Sequence, residues 1–248
     1  MKNIFLSVVI PAYNEVGNLK KGVLRQVVSY LKDRDYTWEV IVVDDGSTDK
    51  TVSLVKTIIN KNKSVKILEE PHRGKAGAVI AGMLAAKGEI VLFSDMDQAT
   101  PIDQIENFLP KFEEGYDIVI GSRSGRKGAP VVRKIMAFGF AALRTLILRL
   151  PYKDTQCGFK AFNGNSAKQI FRKLRVFKEN QSVEGASVFA GFDLEILYIA
   201  RKLKLKVAEV PVKWQHIGTV RVNPFKDSWE GFRDMIKVRL NAFLGKYK

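Results

Sequence analysis

Two spacings of apolar residues alternate along the first half of the chain. Short apolar runs at Ser7–Ile10, Glu39–Val43, Val65–Leu68, Ile90–Phe93 and Asp117–Ile120 have the length and β-branched content of buried strands. Between them, Val16–Leu31, Thr51–Asn60, Lys75–Ala86 and Ile102–Phe112 repeat their apolar positions every three to four residues, as one-sided helices do. This alternation predicts an α/β fold, a mostly parallel central sheet with crossover helices on its faces. It stops after Arg123. Beyond that point the pattern predicts an amphipathic helix over Val131–Leu150, a turn and short strand within Pro151–Phe162, and a helix at Ser166–Leu174. A polar loop at Lys178–Ser187, a helix from Phe189 to Lys204 and a strand at Lys206–Val212 follow. A basic loop at Gln215–Pro224, expected to close over a ligand, leads into a last amphipathic helix from about Asp227 to Leu244.

Parallel sheets bind ligands beyond the carboxyl ends of their strands, and the polar clusters of the first half fall there. They are Pro11-Ala-Tyr-Asn-Glu15, Asp44-Asp-Gly-Ser-Thr-Asp49, Pro71-His-Arg-Gly-Lys75, Asp95-Met-Asp97 and Gly121-Ser-Arg123. In extended backbone Asp95 and Asp97 point the same way, and two carboxylates so placed repel unless a cation lies between them. The chemistry suits Mg2+ or Mn2+. Alone, an Asp-x-Asp is equally a solvated turn, and Thr100, Pro101 and Asp103 are good residues for starting the next helix. Position at the sheet mouth favours the metal. Asp45 could end its strand as a turn residue or bond a ribose or base edge, and Arg73-Gly-Lys75 suits either a phosphate or a plain helix start.

Composition narrows the partners. The 248 residues are 46% hydrophobic and 27% charged, enough for one large domain or two intimate ones with a sizeable core. One cysteine, Cys157, excludes an internal disulfide, and with two histidines a structural zinc site is not expected. A reducing, cytoplasmic setting fits. The balance of 41 Lys and Arg against 26 Asp and Glu gives +15, which calls for an acidic partner: nucleic acid, anionic lipid or a phosphorylated small molecule. No nucleic-acid-binding motif is present to support the first. In the helix Val131–Leu150, Arg133, Lys134 and Arg144 share one sector, so it either packs on the core or lies at a membrane surface, but its charges prevent it from spanning one.

Taken together, Ser7-Val-Val-Ile-Pro-Ala-Tyr-Asn-Glu15, Ile41-Val-Val-Asp-Asp-Gly-Ser-Thr-Asp49, Gly74-Lys-Ala-Gly-Ala78, Asp95-Met-Asp97, Gly121-Ser-Arg123 and Asp154-Thr-Gln-Cys-Gly-Phe-Lys160 resemble the family 2 nucleotide-sugar glycosyltransferases of the GT-A (Rossmann-like) fold. Within them the chain is similar to the dolichyl- and polyprenyl-phosphate sugar synthases, the glucosyl branch more than the mannosyl one. The resemblance implies a single domain, with residues 1–123 taking the nucleotide sugar and 124–248 the acceptor. By matching position, Pro11, Tyr13, Glu15 and Asp45 would hold the nucleoside, with Lys75 and Met96 near the donor and Arg221 closing over its diphosphate. Asp95 and Asp97 would carry the metal, and Arg123 and Arg133 would meet the acceptor phosphate. UDP-glucose as donor, dolichyl or polyprenyl phosphate as acceptor and peripheral attachment to the cytosolic face of a membrane follow as expectations. Mannosyl members carry a metal-binding Gln two residues past the second Asp, where this chain has Ala99 with Gln98 one earlier, which weighs against GDP-mannose. Asp193 stands where members acting on hydroxyl groups keep a base, and an anionic phosphate acceptor would need none.

Overall fold

The computed structural model describes residues 3–123, 131–176, 190–215 and 224–247. Strands β1 (Leu6–Ala12), β2 (Trp38–Asp45), β3 (Val65–Glu70), β4 (Ile90–Ser94), β5 (Ile118–Arg123), β6 (Phe159–Asn163) and β7 (Val207–Val212) form one sheet in the order β3-β2-β1-β4-β6-β5-β7. All pairings are parallel except those of β6, which runs antiparallel between β4 and β5. The second half of the chain therefore inserts a strand into the sheet that the first half begins. A mostly parallel α/β fold was expected; the antiparallel insertion was not, because Phe159–Asn163 shows only that a strand exists, not its direction.

Helices α1 (Val16–Lys20), α2 (Val23–Lys32), α3 (Thr51–Ile59), α4 (Gly74–Ala85), α5 (Leu109–Glu113), α6 (Val131–Leu148), α7 (Gly164–Lys173), α8 (Ala190–Lys202) and α9 (Pro224–Phe243) cover the two faces. Period-two alternation divides each strand between two cores. On β1, Leu6, Val8 and Ile10 pack with Leu24, Val28 and Leu31 of α2, while Val9 packs with Val79 and Met83 of α4. Two predicted helices are broken. Gly22, at φ +80°, divides Val16–Leu31 into α1 and α2. The stretch after Pro101 begins as a 3-10 helix, Ile102–Asn107, without the expected side-chain cap from Thr100, and α5 restarts beside Pro110.

At the amino ends of the strands a buried carboxylate network ties the sheet together. Glu39 accepts from Ser7 Oγ at 2.7 Å, the Lys87 amide at 2.9 Å and Lys66 Nζ at 2.7 Å, and the Gly88 amide donates to Ser7 Oγ at 2.8 Å. Burial works against the charged form of Glu39, but Lys66, Ser7 and the Lys87 amide outweigh it and hold its pKa below the usual glutamate range.

Candidate active site

The opposite, carboxyl ends of the strands carry the functional candidates. Asn14, in the left-handed region at φ 54°, bridges two of the mouth loops. Its amide donates to Ser47 Oγ at 2.9 Å, and its Oδ1 accepts from the Thr48 amide at 2.9 Å. Glu15 donates its amide to Thr51 Oγ1 at 2.8 Å and accepts from Asn18 Nδ2 at 2.6 Å. Pro11, one residue before the end of β1, is buried. The Tyr13 ring stacks on His72 with centroids 4.1 Å apart and planes 10° from parallel. His72 Nδ1 reaches Asp45 Oδ2 at 2.8 Å and its carbonyl at 2.9 Å, and the Arg73 amide donates to Asp45 Oδ1 at 2.8 Å. Asp45 thus holds the loop that presents His72 and leads into α4. Nothing in the sequence assigns His72 a role of its own, because only the fold brings it against Tyr13, 59 positions earlier in the chain.

The mouth also holds two lysine–aspartate pairs, both within reach of the Phe93 ring. Lys75, in the first turn of α4, places Nζ 2.5 Å from Asp95 Oδ1, and Lys160 of β6 places Nζ 2.8 Å from Asp193 Oδ1 in the first turn of α8. Each ammonium is 5.5 Å from the centre of the Phe93 ring. Burial disfavours the Lys75 ammonium, yet Asp95, with Asp193 and Asp97 further off, raises its pKa above the ordinary lysine value. Lys160 also donates to the Cys157 carbonyl. Asp95 rests against Gly158, where a Cβ would fall 2.0 Å from Asp95 Oδ2, so only glycine leaves room for that carboxylate. Asp97 Oδ1 accepts from the Ala99 amide at 3.0 Å. The Met96 side chain, expected near the donor, is buried in the core beneath the mouth. Gln98 donates to Ser94 Oγ at 3.0 Å and to the Asp95 carbonyl at 2.9 Å, bracing the turn.

Among the described residues no group of three or more His, Cys, Asp or Glu could hold a metal ion. The pair Asp95 and Asp97 nonetheless fits a hard divalent cation of the kind that takes one or two carboxylates and completes its shell with substrate phosphates and water. The space cleared by Gly158 is the structural sign of that fit.

Arg123, at the end of β5, is clamped by Asp154: Nε to Oδ2 at 2.6 Å, Nη2 to Oδ1 at 2.9 Å, and its backbone amide to Oδ2 at 3.1 Å. Its guanidinium carbon lies 5.7 Å from the Trp214 ring centre. Burial of Asp154 is outweighed by Arg123, which holds the carboxyl below the ordinary aspartate range. Glu209 of β7 accepts from the Lys153 and Asp154 amides at 2.9 and 2.7 Å, and from the other side Arg144 donates to the Tyr152 carbonyl and to Thr155 Oγ1. Arg144 is therefore buried beneath this loop, not turned toward solvent with a cationic sector of α6. Arg221 lies outside the described residues, as does the Arg133 side chain. Asp154 and Lys160 fall in a motif whose pattern is visible in the sequence, but their partners are set by how β6 lies in the sheet.

The fold and this mouth of paired acids and bases accord with the comparisons to known proteins. The family model Glycosyl transferase family 2 matches residues 7–171. This chain is a family 2 glycosyltransferase. It is 35% identical over 264 aligned positions to the dolichyl-phosphate beta-glucosyltransferase of Dictyostelium discoideum, covering 99% of this chain and 77% of that protein. It is 32% identical over 262 positions to the enzyme of the same name from Homo sapiens, covering 98% of this chain and 77% of the human one. Among solved structures, mannosyl-3-phosphoglycerate synthase from Rubrobacter xylanophilus superposes with a TM-score of 0.68 at 17% identity, over 98% of this glycosyltransferase and 75% of that chain. Glucosyl-3-phosphoglycerate synthase from Mycobacterium tuberculosis, in complex with Mn2+, uridine diphosphate and glucosyl-3-phosphoglycerate, gives 0.58 at 20% identity, over 95% and 80%. The glycosyltransferase has the GT-A fold that these neighbours share.

Proposed function

We propose that this glycosyltransferase moves glucose from UDP-glucose to dolichyl or another polyprenyl phosphate, with inversion at the anomeric carbon, at the cytosolic face of a membrane. The observation that carries this reading is the joining of two features across one strand. The Lys75–Asp95–Asp97 group ends β4, the Asp154-clamped Arg123 ends β5, and near full-length likeness to dolichyl-phosphate beta-glucosyltransferases spans both. Residues 1–123 would serve the donor and residues 124–248 the acceptor.

The Tyr13–His72 stack and the loop held by Asp45 offer a flat surface and backbone groups to a nucleoside. Asp95 and Asp97 would hold a divalent ion, Mg2+ or Mn2+, which when bound would supply positive charge to the leaving diphosphate. Lys75 adds a fixed cation there, in a site where such preorganised charge acts with little reorganisation. Arg123, fixed in direction by Asp154, presents its guanidinium edge to the acceptor phosphate, and Arg133 and Arg221 are assigned to the acceptor and the diphosphate by resemblance. The phosphate acceptor is anionic near neutral pH and attacks without surrendering a proton. Attack from the face opposite the diphosphate turns an alpha-linked donor into a beta-linked product.

Asp193 Oδ1 is occupied by the buried Lys160 ammonium at 2.8 Å, a contact that favours a positioning role for this carboxylate over taking a proton from a hydroxyl acceptor. A matrix of UDP-glucose, UDP-N-acetylglucosamine and GDP-mannose against polyprenyl phosphate with Mg2+ or Mn2+ tests the reading by lipid extraction. Glucose should appear in the lipid phase from UDP-glucose. Product from GDP-mannose alone, or full transfer in excess chelator, would overturn the donor or the metal assignment respectively.

A further inference from the structure

Helix α9 is apolar on two sides. Its inner side, with Met235 and Val238 fully buried, packs on the core. Its outer side carries Ile236, Leu240 and Phe243 at i, i+4 and i+7, a single ridge, and Phe243 is 88% exposed. On the helical wheel the exposed Arg239 flanks this ridge on one side and Arg233 and Lys237 flank it on the other. Arg233 and Lys237 also approach the buried Asp234, at 4.0 and 3.6 Å. Neighbouring α6, which packs against α9, also exposes apolar residues near its end: Leu143 and Leu146 are exposed, Leu146 at 78%, and the exposed Arg149 follows just past the helix with left-handed backbone at φ 55°. Beside them a cavity of about 280 Å³ is lined by Arg149 just past α6, Arg239 of α9, and Tyr198, Arg201, Lys202 and Lys204 of α8 and the turn after it. No carboxylate lines that cavity among the described residues.

We propose that the outer faces of α6 and α9 dock on an anionic phospholipid bilayer, the apolar ridges entering the acyl boundary and lipid phosphates occupying the cation-lined cavity. The inference rests on the membrane-borne acceptor proposed above and names the surface and lipid charge that would bring the enzyme to it. A water-facing helix side should be polar, whereas an outward apolar ridge between rows of Lys and Arg is the pattern of a helix lying in a lipid interface. A second copy of the chain fits poorly, since a two-fold contact through this face would bring Arg239, Arg233 and Lys237 against their own like. Nucleic acid would leave the ridges uncovered. From Ile236 to Tyr247 there is no acidic residue to repel a negative surface.

The test is co-sedimentation of the full chain with vesicles of phosphatidylcholine, with and without about one-third phosphatidylserine, a composition that gives a negative surface potential. Wild type should bind the anionic vesicles at least about tenfold more tightly, as several cations near such a surface imply. Arg201→Glu/Lys202→Glu/Arg239→Glu should abolish that preference. Leu240→Ser/Phe243→Ser should weaken binding about tenfold, from the lost apolar insertion. Lys20→Glu/Lys21→Glu/Lys61→Glu, with the same change in net charge on exposed residues of the other half, should bind as a wild type does. Equal loss in that control set would mean non-specific attraction of a basic protein and would overturn the proposal. So would failure of wild type to bind, or a dimer in ultracentrifugation that Phe243→Ser dissolves. Transfer to a short-chain polyprenyl phosphate in detergent, measured on the same variants, reports on the proposed reaction separately. Its absence in wild type with intact vesicle binding would sink the reaction and leave the surface standing.

Discussion

The two lysine–aspartate pairs beside Phe93 share a ring and a type of bond but differ in exposure, and the difference separates a movable charge from a fixed one. Lys160 is fully buried and Asp193 nearly so, with the Cys157 carbonyl as a further acceptor for the ammonium. A buried pair of this kind is held because breaking it strands a charge. The Lys75 and Asp95 side chains are about one-third exposed, at 30% and 32%, so water can take over either charge. Lys75 also sits in the first turn of α4, where the helix dipole disfavours a cation, so Asp95 is what keeps it there. On the proposed reading the outer pair is the one that would part for a diphosphate and a metal, and the inner pair the one that would keep its place.

The largest effect expected from this contrast is on transfer itself. Asp95→Asn and Asp97→Asn should each lower the rate of glucolipid formation by about 10²–10³-fold, with circular dichroism unchanged, because a preorganised charge is lost. Lys160→Met should cost about 3 kcal/mol of stability in urea unfolding, since the nearly buried Asp193 is left without its cation. Lys75→Met should change stability by less than about 1 kcal/mol, as partly exposed pairs do, and should raise the affinity for Mn2+ measured without nucleotide by paramagnetic resonance. Equal destabilisation by the two lysine variants, or unaltered Mn2+ affinity, would erase the distinction between the pairs.

The smallest effect concerns pH. The folded-state pKa of Asp154 is depressed by Arg123, so the clamp contributes stability above the unfolded aspartate value of about 3.9, and that contribution is lost as pH falls through the depressed value. The thermal midpoint of wild type should therefore show an acid-dependent loss that Arg123→Gln lacks. A midpoint difference between the two proteins that is the same from neutral pH to the acid limb would remove this role.

Much of the first half was legible because strand, helix and mouth cluster follow each other locally: the ends of β1, β2, β4 and β5 lie where apolar runs give way to Tyr13, Asp45, Asp95 and Arg123. What could not be read were contacts made across the chain. Tyr13 with His72, Lys160 with Asp193, and Arg123 with Asp154 all depend on how the strands are ordered. Arg144 shows the same limit within a helix, since periodicity placed it in a cationic sector while the fold turns it beneath the 152–155 loop. The broken helices at Gly22 and after Pro101 are failures of a different kind, where a local backbone preference interrupts an otherwise continuous apolar period.

The antiparallel β6 has a geometric consequence. Neighbouring strands lie about 4.8 Å apart, so placing one strand between β4 and β5 separates the ends that carry Asp95 and Arg123 by about 10 Å. Direct pairing of β4 with β5 would halve that gap, narrower than the proposed transfer of a hexose between two phosphorus centres calls for. If Asp95 serves the leaving diphosphate and Arg123 the acceptor phosphate, as proposed, β6 acts as a built-in ruler, one rung wide, between the two.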